Sequence, residues 1–244
     1  DGGILAVKGI GGYHLACDAR SDAAVTRLRQ RKRREAKALA VMAGSMETVR
    51  GLCTVSDEEE RWLTSPAAPI VLLRRRVDAL DAAAEAVAPG NASLGVLLPY
   101  APVHLLLLAE DDLWVMTSAN LSGEPIIYED DIAVRGLARI ADAILVHNRE
   151  IMHRVDDSVL RMTAGGRQIV RRSRGFAPTP LALPFDGGTS VLAGGAELKN
   201  AFCLTRGQEA FLSEHIGDLM EHAVLRSYEE TIAHYEHFFE VRPA

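Results

Sequence analysis

No apolar run in the 244 residues is long enough to cross a bilayer: Leu105-Leu106-Leu107-Leu108-Ala109 stops at Glu110-Asp111-Asp112, against the roughly 18–20 residues a spanning helix needs. The opening Asp1-Gly2-Gly3 has neither a Met nor the charged and apolar regions of a secretory leader, so the sequence is expected to start inside a longer polypeptide. Cysteine is scarce. Cys17, Cys53 and Cys203 are far apart, odd in number and without C-x-x-C spacing, which excludes a recognisable zinc site or disulfide framework and leaves reduced cytoplasmic thiols as the expectation. No Ser-His-Asp or Cys-His arrangement stands out, so covalent catalysis is not expected. The glycine turn Gly9-Ile10-Gly11-Gly12 lacks the third glycine of a dinucleotide fingerprint, because that position is His14.

With 48% hydrophobic residues the chain can bury one large core and part of a second. The net charge of −6 is uneven. Residues 189–244 carry four Lys/Arg (Lys199, Arg206, Arg226, Arg242) against nine Asp/Glu, and the preceding part is nearly neutral. Inside that neutral part, Arg27 to Lys37 holds seven basic residues and only Glu35 of the opposite sign.

Apolar patterning predicts strands at 4–7, 39–42, 70–74, 95–98, 113–116, 143–146, 158–162 and 168–171. Helices are predicted from the Ser21 N-cap to the basic cluster and around 57–63, 78–86, 103–109 and 130–139. The alternation argues an α/β domain, and the hairpin implied by Ala164-Gly165-Gly166 argues a mixed sheet. The proline-rich Gly175–Pro184 reads as an extended exit from this domain. Strands at 191–193, 201–205 and 210–213 follow, then an amphipathic helix with Met220, Val224, Tyr228, Ile232, Tyr235 and Phe238 on one stripe. That β-β-β-α unit cannot cover both faces of its sheet, so the second domain reads as truncated.

Three stretches hold polar groups suited to chemistry. Ser118-Ala119-Asn120-Leu121-Ser122-Gly123-Glu124-Pro125 follows an apolar strand and offers hydroxyls and a carboxamide where α/β sheets bind ligands; equally, such a cluster can be a plain turn. Lys32, Arg34 and Lys37 could line a polyphosphate site, form a solvated helix face, or contact a nucleic-acid backbone. Nearby aromatics for base stacking are absent. His153-Arg154-Val155-Asp156-Asp157-Ser158 could hold Mg²⁺ near a polyphosphate or pair with local arginines, and Arg171-Arg172-Ser173-Arg174 has the same two readings as the first basic cluster. His14 and Cys17 flank an apolar pair and read as packed core. The histidines at 222, 234 and 237 lie on the amphipathic helix and are not expected to bind metal.

On these residues the chain resembles the YrdC-like superfamily, and more closely the HypF family of hydrogenase-maturation carbamoyltransferases. Val7–Ala19 resembles that family's opening motif. Arg31–Met42 resembles its basic nucleotide motif, departing at Ala38 where proline is usual, and Thr117–Pro125 resembles the shared S-A-N-x-S-G-x-P signature. The similarity continues through Arg154–Val159 and Arg171–Pro178. Gly195–Asn200 and His215–Leu219 resemble the start of the family's next domain.

The resemblance implies a YrdC-like mixed twisted sheet with helices, a double-stranded-RNA-binding-like fold, over residues 1–184. Residues 185–244 would be a linker and the β-β-β-α start of an actin-like (ribonuclease-H-like) carbamoyltransferase domain. It implies ATP-dependent activation of carbamate to carbamoyl-adenylate, a step toward carbamoyl transfer from carbamoyl phosphate to the C-terminal cysteine of HypE. Lys32, Arg34, Ser118 and Asn120 are expected to carry the adenylation. Lys37, Ser122, Arg154, Asp157, Ser158, Arg172 and His14 are expected to bind substrate or nucleotide. ATP is the expected cofactor, with Mg reaching the site through it; zinc is not expected here, nor is a membrane or nucleic-acid partner. Two alternatives stand beside this: threonylcarbamoyl-adenylate synthesis for tRNA modification, and a non-catalytic RNA-binding module using Arg27–Lys37, which the acidic C-terminal part disfavours.

Overall fold

The computed structural model describes residues 2–79, 82–120 and 124–244. The chain opens with a hairpin, β1 (Leu5–Lys8) and β2 (Tyr13–Asp18), in which Val7 lies opposite His14 across the glycine turn. Next come α1 (Asp22–Lys32), β3 (Ala40–Ala43), α2 (Met46–Leu52), β4 (Cys53–Thr54) and α3 (Asp57–Leu63). Then follow β5 (Ile70–Arg75), β6 (Ser93–Leu97), α4 (Pro102–Leu107), β7 (Leu113–Ser118), α5 (Asp130–Leu137) and β8 (Ala143–Leu145). The hairpin β9 (Val159–Thr163) and β10 (Gly166–Arg171) completes the series. The helix starts are chemically marked. The Ser21 and Ser45 hydroxyls accept from the Ala24 and Thr48 amides, and Ser56 with Glu59 forms a reciprocal capping box.

The strands form one mixed sheet in the order β10-β9-β5-β6-β3-β7-β2-β1-β8, with β4 beside β5. β1/β8, β3/β6 and β5/β9 run parallel, and the other pairs antiparallel. Side chains alternate across a strand, and the sheet's two faces have different fates. One packs under α1, α2, α3 and α5 through Leu15, Val41, Val71 and Val115 against Val25, Leu28, Val49, Leu63 and Leu137. On the other, Ala16, Met42, Leu97 and Met116 are covered in part by Val103 and Leu107 of α4. The uncovered remainder of this second face is free to hold a ligand.

Three expectations are corrected. β2 was missing from the strand reading because it is buried on both faces, Tyr13 to Cys17 all lying inside, so it lacks a polar alternation. Within the expected helix at 78–86, the described residues form only a 3-10 turn at Glu85–Val87. The Ala83, Ala86 and Val87 carbonyls are taken by Arg75 and Arg29 side chains instead of helical amides. α2 lies where the patterning predicts no element.

The second unit is a small sheet, β11 (Leu181–Ala182), β14 (Glu209–Leu212), β13 (Cys203–Arg206) and β12 (Leu192–Ala193) in that order. It is packed on α6 (His222–Phe238) through Phe202, Leu204, Phe211 and Tyr235. The proline-rich exit thus adds a strand, since Leu181 pairs with Ala210. The α6 stripe also differs. Met220 precedes the helix and is exposed, as is Phe238, while Ser227 and Thr231 are buried. The reason is that α6 serves two neighbours: Tyr228, Ile232 and Tyr235 pack on the small sheet, and Val224 and Thr231 face a cavity shared with the first unit. The units are joined by the His215 amide donating to the Arg172 carbonyl (2.8 Å) and by His153 bonded to the Glu214 carboxylate.

Candidate active site

β7 ends at Ser118, directly opposite His14 of β2, so both side chains emerge on the partly covered face. Lys32, in the last turn of α1, reaches this strand end from behind. Its Nζ lies 2.6 Å from the Ser118 carbonyl, the Asn120 carbonyl and Asn120 Oδ1 alike. An ammonium has three N–H donors, which matches these three acceptors. The Ser118 hydroxyl also donates to Asn120 Oδ1 (2.9 Å), and Asn120 Nδ2 donates to the Glu124 carbonyl. Burial, with Arg34 nearby, pushes the Lys32 ammonium down to about 7, while Asp156 and Glu124 favour the charged form. Lys32 is fully buried and fixes the loop; it does not line the cavity.

The other basic residues divide by the same local geometry. α1 is closed by Arg33 in the left-handed conformation (φ 53°), after which the chain turns so that Arg34 and Lys37 line the cavity. Buried Arg29 gathers the carbonyls of Arg34, Glu35 and Lys37 at 3.0–3.1 Å, thereby shaping that turn. A solvated helix face would not be organised so. At the end of β10 the alternation places Arg171 on the cavity side. Arg172 points away, its guanidinium spent on the carbonyls of Phe176, Thr179 and Leu212. The structure therefore places Arg171, not Arg172, at the cavity wall.

Arg154, Asp156 and Asp157 border the same space. Burial lowers the Arg154 guanidinium's proton affinity, with Asp156 and Glu214 opposing the effect. Asp157 is buried and engaged at both oxygens: Oδ2 meets His14 Nε2 at 3.0 Å, and Oδ1 accepts from Arg174 Nε at 2.9 Å. Burial alone would raise its carboxyl, but His14 and Arg174 hold it well below the usual range. Ser158 does not reach the cavity; its hydroxyl donates to the Arg174 carbonyl (2.9 Å) and accepts from the Ser173 amide (2.7 Å). Ser122 lies outside the described residues.

The cavity measures about 420 Å³. Its floor is the sheet surface at Ala40, Ile70, Gly95 and Met116, and its far wall is Glu214 to Asp218 with Val224 and Thr231. A cationic side (Arg34, Lys37, Arg154, Arg171) thus faces a polar loop across an apolar floor. This suits a flat base on the floor and phosphates on the wall. No cluster of three or more His, Cys, Asp or Glu among the described residues could hold a metal. The dispersed carboxylates fit Mg²⁺ carried on phosphates better than a protein cage.

The family model described as telomere recombination (Sua5/YciO/YrdC) matches residues 1–173. The chain belongs to the Sua5/YciO/YrdC family. Residues 186–244 match the family model of the HypF Kae1-like domain. It is 46% identical to a carbamoyltransferase HypF of Rhizobium leguminosarum bv. viciae over 99% of its length and 32% of the relative's. It thus spans about a third of that relative. Among solved structures it superposes on full-length HypF in a phosphate- and nucleotide-bound form with a TM-score of 0.95, at 47% identity, over 99% of this chain and 38% of that one. Pyrococcus abyssi Sua5 complexed with L-threonine shares the fold (TM-score 0.61, 20% identity, 70% of this chain and 51% of that one).

Within this site, sequence reasoning missed Arg29 and Arg171 as individuals, and Glu214 to Asp218 as cavity wall. The two arginines sit inside basic runs whose members look alike until the turn and strand phases are fixed.

Proposed function

We propose that residues 1–184 form an adenylating unit that converts carbamate and ATP to carbamoyl-adenylate and pyrophosphate, and that residues 185–244 begin an actin-like transferase domain. The observation that carries this reading is the Ser118–Asn120 loop, locked by Lys32 beside the cationic wall of Arg34, Lys37, Arg154 and Arg171. A carbamate oxygen attacks the α-phosphorus and the bond to the β-phosphate oxygen breaks, so pyrophosphate leaves with its electron pair. The protein's part is alignment and charge stabilisation. Arg34, Lys37, Arg154 and Arg171 offset phosphate charge, the Ser118 and Asn120 groups hold the adenylate end, and His14 borders the acyl end. Mg²⁺ bound with ATP would add positive charge beside the phosphates. The solved relative in a phosphate- and nucleotide-bound form supports a nucleotide in this fold. In the longer polypeptide typical of its relatives, the carbamoyl group would derive from carbamoyl phosphate and pass to the C-terminal cysteine of HypE in hydrogenase maturation.

The second reading, threonylcarbamoyl-adenylate formation, draws on a fold likeness to a protein solved with L-threonine. Pyrophosphate release separates the two. Release that requires carbamate and ignores threonine plus bicarbonate is expected; dependence on threonine plus bicarbonate would reverse the assignment.

A further inference from the structure

Behind His14 five side chains from four stretches of the chain, Tyr100 and His104 sharing one, close a ring. His14 Nε2 meets Asp157 Oδ2 at 3.0 Å, and the other Asp157 oxygen accepts from Arg174 at 2.8–2.9 Å. The Arg174 guanidinium lies 3.4 Å from the centre of the Tyr100 ring. That ring meets His104 edge-on at 4.6 Å, and His104 returns to His14 at 6.2 Å. Only His14 and Asp157 of the five line the cavity.

Each link constrains the next. An ionised carboxylate only accepts, so His14 must carry a proton on Nε2, and in the neutral ring Nδ1 is then the acceptor. Asp157 can hold that tautomer only if its plane is fixed, which Arg174 does. Arg174 is itself anchored by the Ala67 and Ala68 carbonyls (3.1 and 2.9 Å), and a planar guanidinium over an aromatic face is further restrained against tilting. His104 is fully buried, and neither ring nitrogen finds a hydrogen-bond partner among the described residues. An aliphatic side chain would fill that space without stranding two polar atoms, so His104 is poorly explained as simple filler; its contacts are the rings of Tyr100 and His14.

We infer that Tyr100, braced by His104, is a positioning residue: through Arg174 and Asp157 it fixes the tautomer and orientation of His14 at the acyl end of the cavity. This rests on the adenylation reading for its chemistry but not for its geometry, and the test keeps the two apart.

Histidine-selective nitrogen NMR of the chain at pH 8 is expected to show His14 as a single Nε2–H tautomer. Tyr100→Phe keeps the aromatic face but loses the hydroxyl beside Asp157 and Arg174; if the stack does the positioning, it should retain the single tautomer. Tyr100→Leu and Arg174→Lys, which remove one partner of the stack, should show a tautomer mixture. In carbamate-dependent ATP–pyrophosphate exchange, Tyr100→Leu should lose at least tenfold in rate with KM for ATP within twofold, and Tyr100→Phe should stay within threefold. A Tyr100→Leu protein that keeps the single tautomer and the wild-type rate overturns the inference, as does one that melts lower with its His14 signal unchanged. If Tyr100→Leu does not fold, Arg174→Lys decides by the same signal. If the unaltered protein shows no carbamate-dependent exchange, the adenylation reading fails and the NMR comparison alone decides the inference.

Discussion

Lys32→Met replaces the ammonium behind the Ser118–Asn120 loop by an apolar tip on a similar unbranched stem. The stem still fills its channel beneath β7, so no large cavity opens. What changes is that three acceptors at 2.6 Å, in a place where Lys32 is only 1% exposed, lose their donors. A hydrogen bond to a charged group contributes ~1.5–3 kcal/mol, and leaving a buried acceptor unsatisfied costs ~1–3 kcal/mol. The three bonds share one donor atom and do not add. Ser118 still donates to Asn120, which brings the expected loss to ~3 kcal/mol. For a chain of this size that lowers Tm by ~6–12 °C. Because the loop carries the Ser118 and Asn120 groups, adenylation should slow on the order of a hundredfold, as when one preorganised donor is lost. Lys32→Arg should not restore it, since a planar fork cannot converge three donors on one point. Thermal melting and pyrophosphate release together check this. A Lys32→Met protein that melts within 2 °C of the parent, by the scale just given, and turns over normally would refute the role assigned to Lys32.

Two further outcomes follow from other parts of the site. Burial, with His14 and Arg174 adding to it, lowers His104 from 6.5 to about 4 although Asp157 opposes. Between those values the unfolded chain binds a proton that the folded one refuses, so stability falls as pH drops from 6.5 toward 4, by ~3 kcal/mol at most. Denaturation midpoints should show His104→Phe losing less stability across that window; His215 and His234, also lowered, and toward pH 4 the lowered carboxyls of Glu214 and Asp157 contribute to the slope that remains. An equal loss in both proteins would count against a neutral buried His104. Gly11→Ala should destabilise by ~1–3 kcal/mol, since a Cβ there collides with the Val155 carbonyl and side chain. Because Val155 sits between Arg154 and Asp156, nucleotide affinity in a calorimetric titration should fall with it; unchanged affinity would detach that strap from the site.

Much of the first unit was legible because its strands and capped helices announce themselves locally. Ser21 caps α1 as expected, and the apolar runs at 70–74 and 113–116 are strands β5 and β7. What escaped was decided by distant partners. β2 carries no alternation because both its faces are covered, and the helical pattern at 78–86 yields its carbonyls to Arg29 and Arg75. The loop, Arg34, Lys37 and Arg154 could be named from motif and charge. The sequence does not say, however, that Lys32 works from behind the loop, that Arg171 faces the cavity where Arg172 does not, or that Asp157 is bound by His14 and Arg174. Those are matters of strand phase and burial. The far wall at Glu214–Asp218 depends on how the small sheet docks against Arg172, which no local pattern records.

Mass-spectrometric detection of the adenylate tests the central claim most directly. The chain incubated with ATP, Mg²⁺ and isotopically labelled carbamate, supplied as such, should yield labelled carbamoyl-adenylate with pyrophosphate, and Asn120→Ala should reduce both. Bound ATP with no labelled adenylate, or an adenylate formed only when threonine and bicarbonate are present, would contradict the account.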